Sequence, residues 1–166
     1  EMSASLVGSE MCIRDSCHQV AYMFNYAGEP WKTQRAVRHI METEYLNEPG
    51  GLSGNDDAGQ MSAWYMFAAM GFYPVCPGTP YCLLASPSFP SFTLNLENGN
   101  TFTVKARNAS QKNIYIQSAT LNGKPYTRNY ITHQDIVNGG VMEFVMGDEP
   151  NKEWGAGAEN CPPEVM

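Results

Sequence analysis

The chain has 166 residues, the size of one ordinary domain, and a net charge of -7 from 10 Lys plus Arg against 17 Asp plus Glu. This balance gives no basic surface for nucleic acid or an anionic membrane, so we expect neither partner. No apolar run approaches the roughly 20 residues of a membrane span. The N-terminus has no signal-peptide pattern, so any secretion signal would lie upstream of this chain.

The five cysteines form no C-x-x-C pair and no Cys/His spacing of the kind that binds zinc, so we expect no zinc site. Cys76 and Cys82 fit either a loop disulfide or two buried thiols, and the sequence leaves both alternatives open.

Residues 1–16, "EMSASLVGSEMCIRDS", show no helical or strand period and no turn signal that joins them to the next segment. They resemble a translated sequencing-adaptor tract. We therefore expect them to be foreign to the fold and the native sequence to begin near Cys17.

From His18 to Tyr45 apolar residues recur every three or four positions, which predicts two amphipathic helices. The break between them lies at "AGEPW", where Gly28 can end the first helix and Pro30 suits the first turn of the second. A glycine-rich loop comes next. A third helix is then predicted from Gln60 to Gly71, apolar almost all round and therefore expected to be buried on every side.

After Tyr73 the chain becomes rich in proline and in short alternating runs, which predict strands. The dipeptides Asn98-Gly99 and Asn122-Gly123 each predict a β-hairpin, and "VMEFVMG" predicts a further strand. The predicted fold class is α+β, with an all-helical front, an all-antiparallel back and a seam near Pro74. The Gly, Pro and Glu-rich tail from Asn151 is expected to fray.

Asp56 and Asp57 stand side by side in the loop "GNDDAG", directly before the apolar helix. One interpretation is helix capping, because Asp is a favoured N-cap residue and a carboxylate there gains about 0.3–1 kcal/mol. The other is a functional site, since paired carboxylates can divide acid and base work and glycines let a ligand approach the backbone. An EF-hand is excluded because its D-x-D-x-D-G pattern is absent.

Long stretches of the chain closely resemble glycoside hydrolase family 92, the calcium-dependent exo-acting α-mannosidases. They include "HQVAYMFNYAGEPWKTQRAVRHIM", "GGLSGNDDAGQMSAWYMFAAMGFYPVCPG", "ITHQDIVNGG" and "FVMGDEPNKEWG". The resemblance runs from about Cys17 to Gly155. It implies an N-terminal β-sandwich outside this chain and an (α/α)6 barrel whose last helices lie at 17–73. A β-rich antiparallel segment at 74–155 and a flexible tail at 156–166 would complete the chain.

The resemblance also implies roles for individual residues. Asp57 would be the base that activates water, with Asp56 as its partner or alternate. His18, Asn55 and Gln60 would bind the substrate or orient water, although Asn55 and Gln60 also suit simple hydrogen bonds within the loop. Trp64 is expected in the core and His18, without the motif, would be structural.

The family motif G-N-E-P-x-H should end at His18, yet "IRDS" stands where Asn-Glu-Pro is expected. The general acid, a glutamate, and most of the Ca²⁺ site would lie upstream, and no metal ligand is assigned in this chain. The resemblance thus implies a secreted or periplasmic hydrolase of mannose-containing glycans, N-glycans or mannans, and an inactive fragment. The alternative is a non-catalytic carbohydrate-binding or interaction module.

Overall fold

The computed structural model describes residues 18–52, 54–76 and 78–163, and these form an α+β fold. The α-helices are α1 (Pro30–Thr43), α2 (Gln60–Met70) and α3 (His133–Val137), and 3₁₀ helices span Val20–Asn25 and Ala158–Asn160. The strands are β1 (Phe72–Tyr73), β2 (Tyr81–Leu84), β3 (Ser91–Asn95), β4 (Thr101–Arg107), β5 (Tyr115–Leu121), β6 (Lys124–Pro125), β7 (Tyr130–Thr132) and β8 (Gly140–Gly147).

The helical front contains one long helix where two were predicted. Helix α1 begins at Pro30, which occupies the first turn as expected. The preceding segment forms only the 3₁₀ helix Val20–Asn25, because the chain leaves it at Gly28 with φ 72° before a longer helix can develop. Helix α1 is fixed to the strands by Gln34, whose Oε1 accepts the N–H of Ile116 at 3.0 Å.

Helix α2 begins at Gln60 and ends at Met70, in agreement with the prediction. Its end is a glycine cap: Gly71 has φ 88° and donates its N–H to the carbonyls of Phe67 and Ala68 at 3.1 and 3.0 Å. The prediction that every side is buried is wrong for this chain. Trp64 is 1 % exposed, but Met66 is 52 % exposed, because no described element covers the outward face.

The strands form two sheets. Strands β1, β2 and β7 make an antiparallel three-stranded sheet, and the larger sheet has the order β3-β4-β8-β5-β6. Both predicted hairpins are confirmed, since β3 pairs with β4 and β5 with β6 in antiparallel fashion across the two Asn-Gly turns. The prediction of an all-antiparallel back is wrong: β8 lies parallel to β4, from Phe102 opposite Gly140 to Arg107 opposite Val145.

The strand-rich half also contains a short helix that the sequence patterns did not predict. Helix α3 begins with a capping box in which the Thr132 hydroxyl accepts the N–H of Asp135 at 3.1 Å. The Asp135 carboxylate in turn accepts the Thr132 N–H at 3.1 Å. The helix lies between β7 and β8, so the return to the parallel strand passes through it.

Two adjoining hydrophobic cores hold these elements together. One lies between the helices and the small sheet, and its buried members include Tyr22, Val37, Ile40, Trp64, Ala68, Leu83 and Tyr130. The other underlies the large sheet, with Phe72, Leu84, Phe102, Val104, Ile116, Ile131, Met142 and Phe144 among its buried members. The side chains of strand β2 point alternately into the two cores, with Leu83 in the first and Leu84 in the second. The helical front and the strand-rich back are therefore joined through this strand.

The tail is packed where a frayed end was predicted. Trp154 is buried and donates its indole N–H to the Tyr126 carbonyl at 3.1 Å. The Asn129 side-chain amide donates to the carbonyl of Gly155 at 2.9 Å, and its backbone N–H donates to the Asn160 carbonyl at 2.9 Å. These bonds tie the segment up to residue 163 to the loop before β7, and residues 164–166 lie outside the described residues.

Cys76 and Cys82 form no disulfide, and the alternative of two buried thiols holds for Cys82 only, because Cys76 is exposed. Burial raises the pKa of the Cys82 thiol to about 11. The tract 1–16, expected to be foreign, lies outside the described residues. Among the helices that the structure describes, none is long and apolar enough to cross a membrane.

Candidate functional site

The loop before α2 turns in an unusual way. Asp57, Ala58 and Gly59 come one after another with φ of 47°, 61° and 90°, so all three lie in the left-handed region. This conformation costs a residue with a side chain about 1–2 kcal/mol, whereas glycine adopts it with little strain. Such strain persists only where surrounding contacts hold it, and it concentrates at functional sites.

Asp56 supplies those contacts, and it binds the start of α2 from three positions before the N-cap residue Gly59. Its carbonyl accepts the N–H of Gln60 at 2.8 Å and that of Met61 at 3.2 Å. Its carboxylate accepts the Ser62 N–H at 2.9 Å through Oδ1 and the Ser62 hydroxyl at 3.0 Å through Oδ2. The N-cap residue of α2 is Gly59, so neither aspartate occupies the N-cap position that the capping interpretation gave it. From three positions earlier, Asp56 still accepts three of the N–H groups that the start of the helix leaves without partners.

Asp57 is held differently. Its side chain is exposed, and within the described residues its carboxylate accepts no hydrogen bond. The two adjacent aspartates therefore have different environments: Asp56 is engaged at both carboxylate oxygens, while Asp57 presents its oxygens to solvent from the left-handed turn.

An aromatic layer underlies the loop. The Tyr45 ring stacks on Trp64 with centroids 5.8 Å apart and an interplanar angle of 8°. Its hydroxyl donates to the Met61 carbonyl in the first turn of α2 at 3.1 Å. Burial raises the pKa of Tyr45 well above its ordinary value, and the nearby Asp56 charge raises it further, so Tyr45 stays neutral and serves as a hydrogen-bond donor.

The other predicted site residues lie around this layer. His18 is half-buried, and its carbonyl accepts the indole N–H of Trp64 at 3.0 Å, which places the start of the described chain against α2. Gln60 reaches the Tyr73 hydroxyl; burial raises the pKa of Tyr73, and this hydrogen bond offsets part of the rise. Asn55 is exposed beside Asp56. The structure thus brings His18, Gln60 and the aspartates to the N-terminal half of α2.

A shallow groove of about 420 Å³ opens on the exposed side of α2 next to the capped carboxylate. Its lining combines aromatic, aliphatic and polar side chains: Tyr45, Leu46, Asn47, Leu52, Ser62, Tyr65 and Met66. The groove meets the site at Ser62, whose hydroxyl holds Asp56.

Residues 18–52, 54–76 and 78–163 contain no group of three or more His, Cys, Asp or Glu side chains that would hold a metal ion. Ca²⁺ takes 6–8 oxygen ligands, so a calcium ion at this loop would need ligands in addition to the two aspartates.

Comparison with known proteins identifies the family. Residues 12–148 match the model of the family described as "Glycosyl hydrolase family 92 catalytic domain". The chain belongs to glycoside hydrolase family 92. The matched range includes the whole loop, all of α2 and all eight strands, and it begins inside the tract 1–16 that was expected to be foreign. The predicted resemblance is confirmed.

Relatives of this family 92 chain are much longer than it is. An uncharacterized secreted glycosidase of Arthroderma benhamiae is 36 % identical over 147 residues, which are 87 % of this chain and 19 % of that protein. A family 92 α-mannosidase of Bacteroides thetaiotaomicron, solved with mannoimidazole, is 44 % identical with a TM-score of 0.86, over 90 % of this chain and 20 % of its own. An inverting mannosidase from the same bacterium is 42 % identical with a TM-score of 0.83, over 87 % and 20 %. The chain therefore spans about a fifth of these relatives.

Sequence reasoning missed three residues at this site: Ser62, Tyr45 and Tyr73. Ser62 carried a weak signal, since a serine in the first turn of a helix can exchange hydrogen bonds with an acidic cap. The spacing concealed this signal, because Ser62 follows Asp56 by six positions and a capping box has a separation of three. Tyr45 and Tyr73 reach the site only through tertiary packing, which no local pattern reports.

Proposed function

We propose that this family 92 chain is the C-terminal part of a calcium-dependent, inverting exo-α-mannosidase that hydrolyses α-linked mannose of N-glycans or mannans. Its α-helices are then the last helices of an (α/α)6 barrel, and the upstream barrel helices and β-sandwich belong to the rest of the protein. Support comes from relatives described as an α-mannosidase and an inverting mannosidase. The secreted relative supports a secreted or periplasmic location.

The observation that carries the proposal is the different engagement of the two aspartates. Both carboxylate oxygens of Asp56 accept hydrogen bonds from Ser62 at the start of α2, whereas the carboxylate of Asp57 is exposed and accepts no hydrogen bond within the described residues. A general base needs an oxygen that is accessible to the proton it removes. We therefore assign Asp57 as the base and Asp56 as its partner.

Inversion at the anomeric carbon requires two carboxyl groups on opposite faces of the sugar, about 6.5–9.5 Å apart so that a water fits between. Asp57 would take the proton of that water as it attacks. The acid that protonates the leaving oxygen would come from the longer protein, as the resemblance to the family implies. When bound, Ca²⁺ supplies electrostatic stabilisation of the sugar, and its ligands would come mainly from outside the described residues.

The remaining site residues would position the substrate. His18, held against α2 by its carbonyl, and Asn55, exposed beside the pair, would face the sugar hydroxyls. Gln60 has its side chain on Tyr73 and would orient water through that contact. Loss of the sugar contacts of His18 or Asn55 would appear as a raised KM, whereas loss of the water-orienting role of Gln60 would appear as a lower kcat.

The test is hydrolysis of an aryl α-mannoside by the full-length protein that contains this chain, at constant calcium. Asp57→Asn removes the base but keeps a side chain of the same size, so we expect kcat to fall by about 10²-fold or more. Asp56→Ala should slow the enzyme as well and also lower the stability of the α2 cap by about 0.5–2 kcal/mol. Both kcat and Tm are measured for each variant.

Asp135→Asn is the matched control. Asp135 also caps a helix through paired bonds with a hydroxyl residue, but it lies on α3 in the strand-rich half. We expect it to alter Tm only. If Asp57→Asn keeps most of the wild-type kcat, Asp57 is not the base. If the wild-type protein does not hydrolyse α-mannosides, the proposed function is wrong.

A further inference from the structure

Ser62 binds the carboxylate of Asp56 through both its backbone and its side chain. It lies in the first turn of α2 and gives two hydrogen bonds to one carboxylate, from N–H to Oδ1 at 2.9 Å and from the hydroxyl to Oδ2 at 3.0 Å. The backbone bond would form with any residue except proline, but the second bond requires a side-chain donor at this position. The two bonds fix the plane of the Asp56 carboxylate.

The position of Asp57 depends on that anchor. Asp56 is the last residue before the left-handed turn. Gln60 and Met61, which follow the turn, donate their N–H groups to its carbonyl. The strained residues Asp57 and Ala58 thus lie in a turn that Asp56 closes through two contacts. Its carbonyl is bound to the start of the helix, and its carboxylate is bound to Ser62. Loosening the carboxylate would let the turn relax and move the Asp57 side chain.

We propose that Ser62 is a positioning residue of the hydrolytic site: its hydroxyl, acting through Asp56, holds the turn that presents Asp57 to water. This role rests on the proposed function of Asp57. It differs from ordinary helix capping in its consequence, because a cap alone stabilises α2, whereas a positioning residue also sets the geometry of the chemical step. Displacements of about 1 Å can cost a reaction on the order of 10²-fold in rate.

The experiment compares four variants in the full-length protein with an aryl α-mannoside. Ser62→Ala keeps the backbone bond and removes the hydroxyl, and we expect kcat to fall on the order of tenfold with KM within about twofold of wild type. Ser62→Thr retains a hydroxyl and should restore most of the turnover. Ser62→Cys keeps the size of serine but donates weakly, so its kcat should lie between the two.

Thr132→Ala is the fourth variant and the matched structural control. Its hydroxyl contacts Asp135 at 2.6 Å within the capping box of α3, which resembles the Ser62 contact chemically but lies away from the site. It should lower Tm and leave kcat unchanged. Ser62→Cys and Ser62→Thr keep the comparison decisive if Ser62→Ala does not fold.

Three outcomes distinguish the alternatives. A selective fall in kcat for Ser62→Ala, with recovery in Ser62→Thr, supports the positioning role. Wild-type kcat in Ser62→Ala and Ser62→Cys, with only Tm lowered, overturns that role and leaves Asp57 as base intact. An inactive wild-type protein overturns the proposed function and the role of Ser62 within it.

Discussion

Ala58 lies at φ 61°, in the middle of the three left-handed residues after Asp56. A side chain at such a position costs about 1–2 kcal/mol of folding stability, which a change to glycine would recover. Glycine also makes the unfolded chain more flexible, and this lowers the stability by about 0.4–1 kcal/mol. We therefore expect Ala58→Gly to stabilise the full-length protein by up to about 1 kcal/mol, observed as a higher Tm.

The same substitution one turn later gives a control of opposite sign. Ala63 is exposed inside α2 with right-handed helical geometry, where Ala→Gly costs about 1 kcal/mol. Ala63→Gly should therefore lower Tm. If Ala58→Gly lowers Tm as well, the backbone at Ala58 is not strained in solution.

At the scale of elements, the end of α2 depends on a close contact between two loops. Gly71 has φ 88°, and a Cβ added there would lie 2.9 Å from the Pro87 Cβ and 3.0 Å from the Pro87 backbone nitrogen. Gly71→Ala would combine left-handed strain of about 1–2 kcal/mol with an overpacking cost of about 1–3 kcal/mol. We expect a large fall in the Tm of the full-length protein.

Gly99→Ala separates the two costs. Gly99 has φ 83°, but a Cβ there would meet nothing within 4 Å, so this variant carries the backbone strain alone. Its Tm should fall clearly less than that of Gly71→Ala. Equal losses would mean that the Pro87 loop moves aside and that packing against Gly71 contributes little.

The elements that sequence could predict are those with local causes. The Asn-Gly dipeptides determine two hairpins because the turn chemistry lies between the paired strands. The parallel pairing of β4 with β8 could not be predicted, since its register joins residues such as Phe102 and Gly140 that are far apart in the chain. The missed helix α3 did carry a local signal, because Thr132 and Asp135 have capping-box spacing.

The site shows the same division. The placement of the two aspartates before a buried helix predicted a role at the helix start, which Asp56 has although Gly59 is the N-cap residue, and the family motif predicted the candidate residues. The difference between Asp56 and Asp57 could not be predicted, because it arises from a left-handed turn that brings Ser62 back onto the first aspartate. Neither propensity nor spacing reports such a turn when two of its three residues are not glycine.

At the scale of the whole molecule, the chain spans about a fifth of its relatives, and this bears on its activity. We expect the isolated 166-residue chain to hydrolyse no aryl α-mannoside with or without calcium. It would have a base but no general acid, and acid help typically contributes about 10²- to 10⁴-fold. Turnover near that of a full-length family member would show that the acid lies within this chain.

The outward face of α2 carries exposed apolar side chains. Met66, on a helix that is apolar almost all round, is 52 % exposed. Leu46, which lies in the loop after α1 and lines the same groove, is 54 % exposed. If the rest of the barrel packs on this face, the isolated chain should aggregate through it, since large exposed apolar patches promote association.

Met66→Lys should then have opposite effects in two settings. In the isolated chain the charge faces solvent and should raise solubility, measured as the fraction remaining in solution after centrifugation. In the full-length protein the same charge would be buried without a partner, which is strongly destabilising, so Tm should fall. Thr127→Lys, at an exposed loop position in the strand-rich half, controls for the added charge and should change neither quantity much. An unchanged Tm for full-length Met66→Lys would mean that this face of α2 stays in solvent and that the groove beside Ser62 remains open in the complete enzyme.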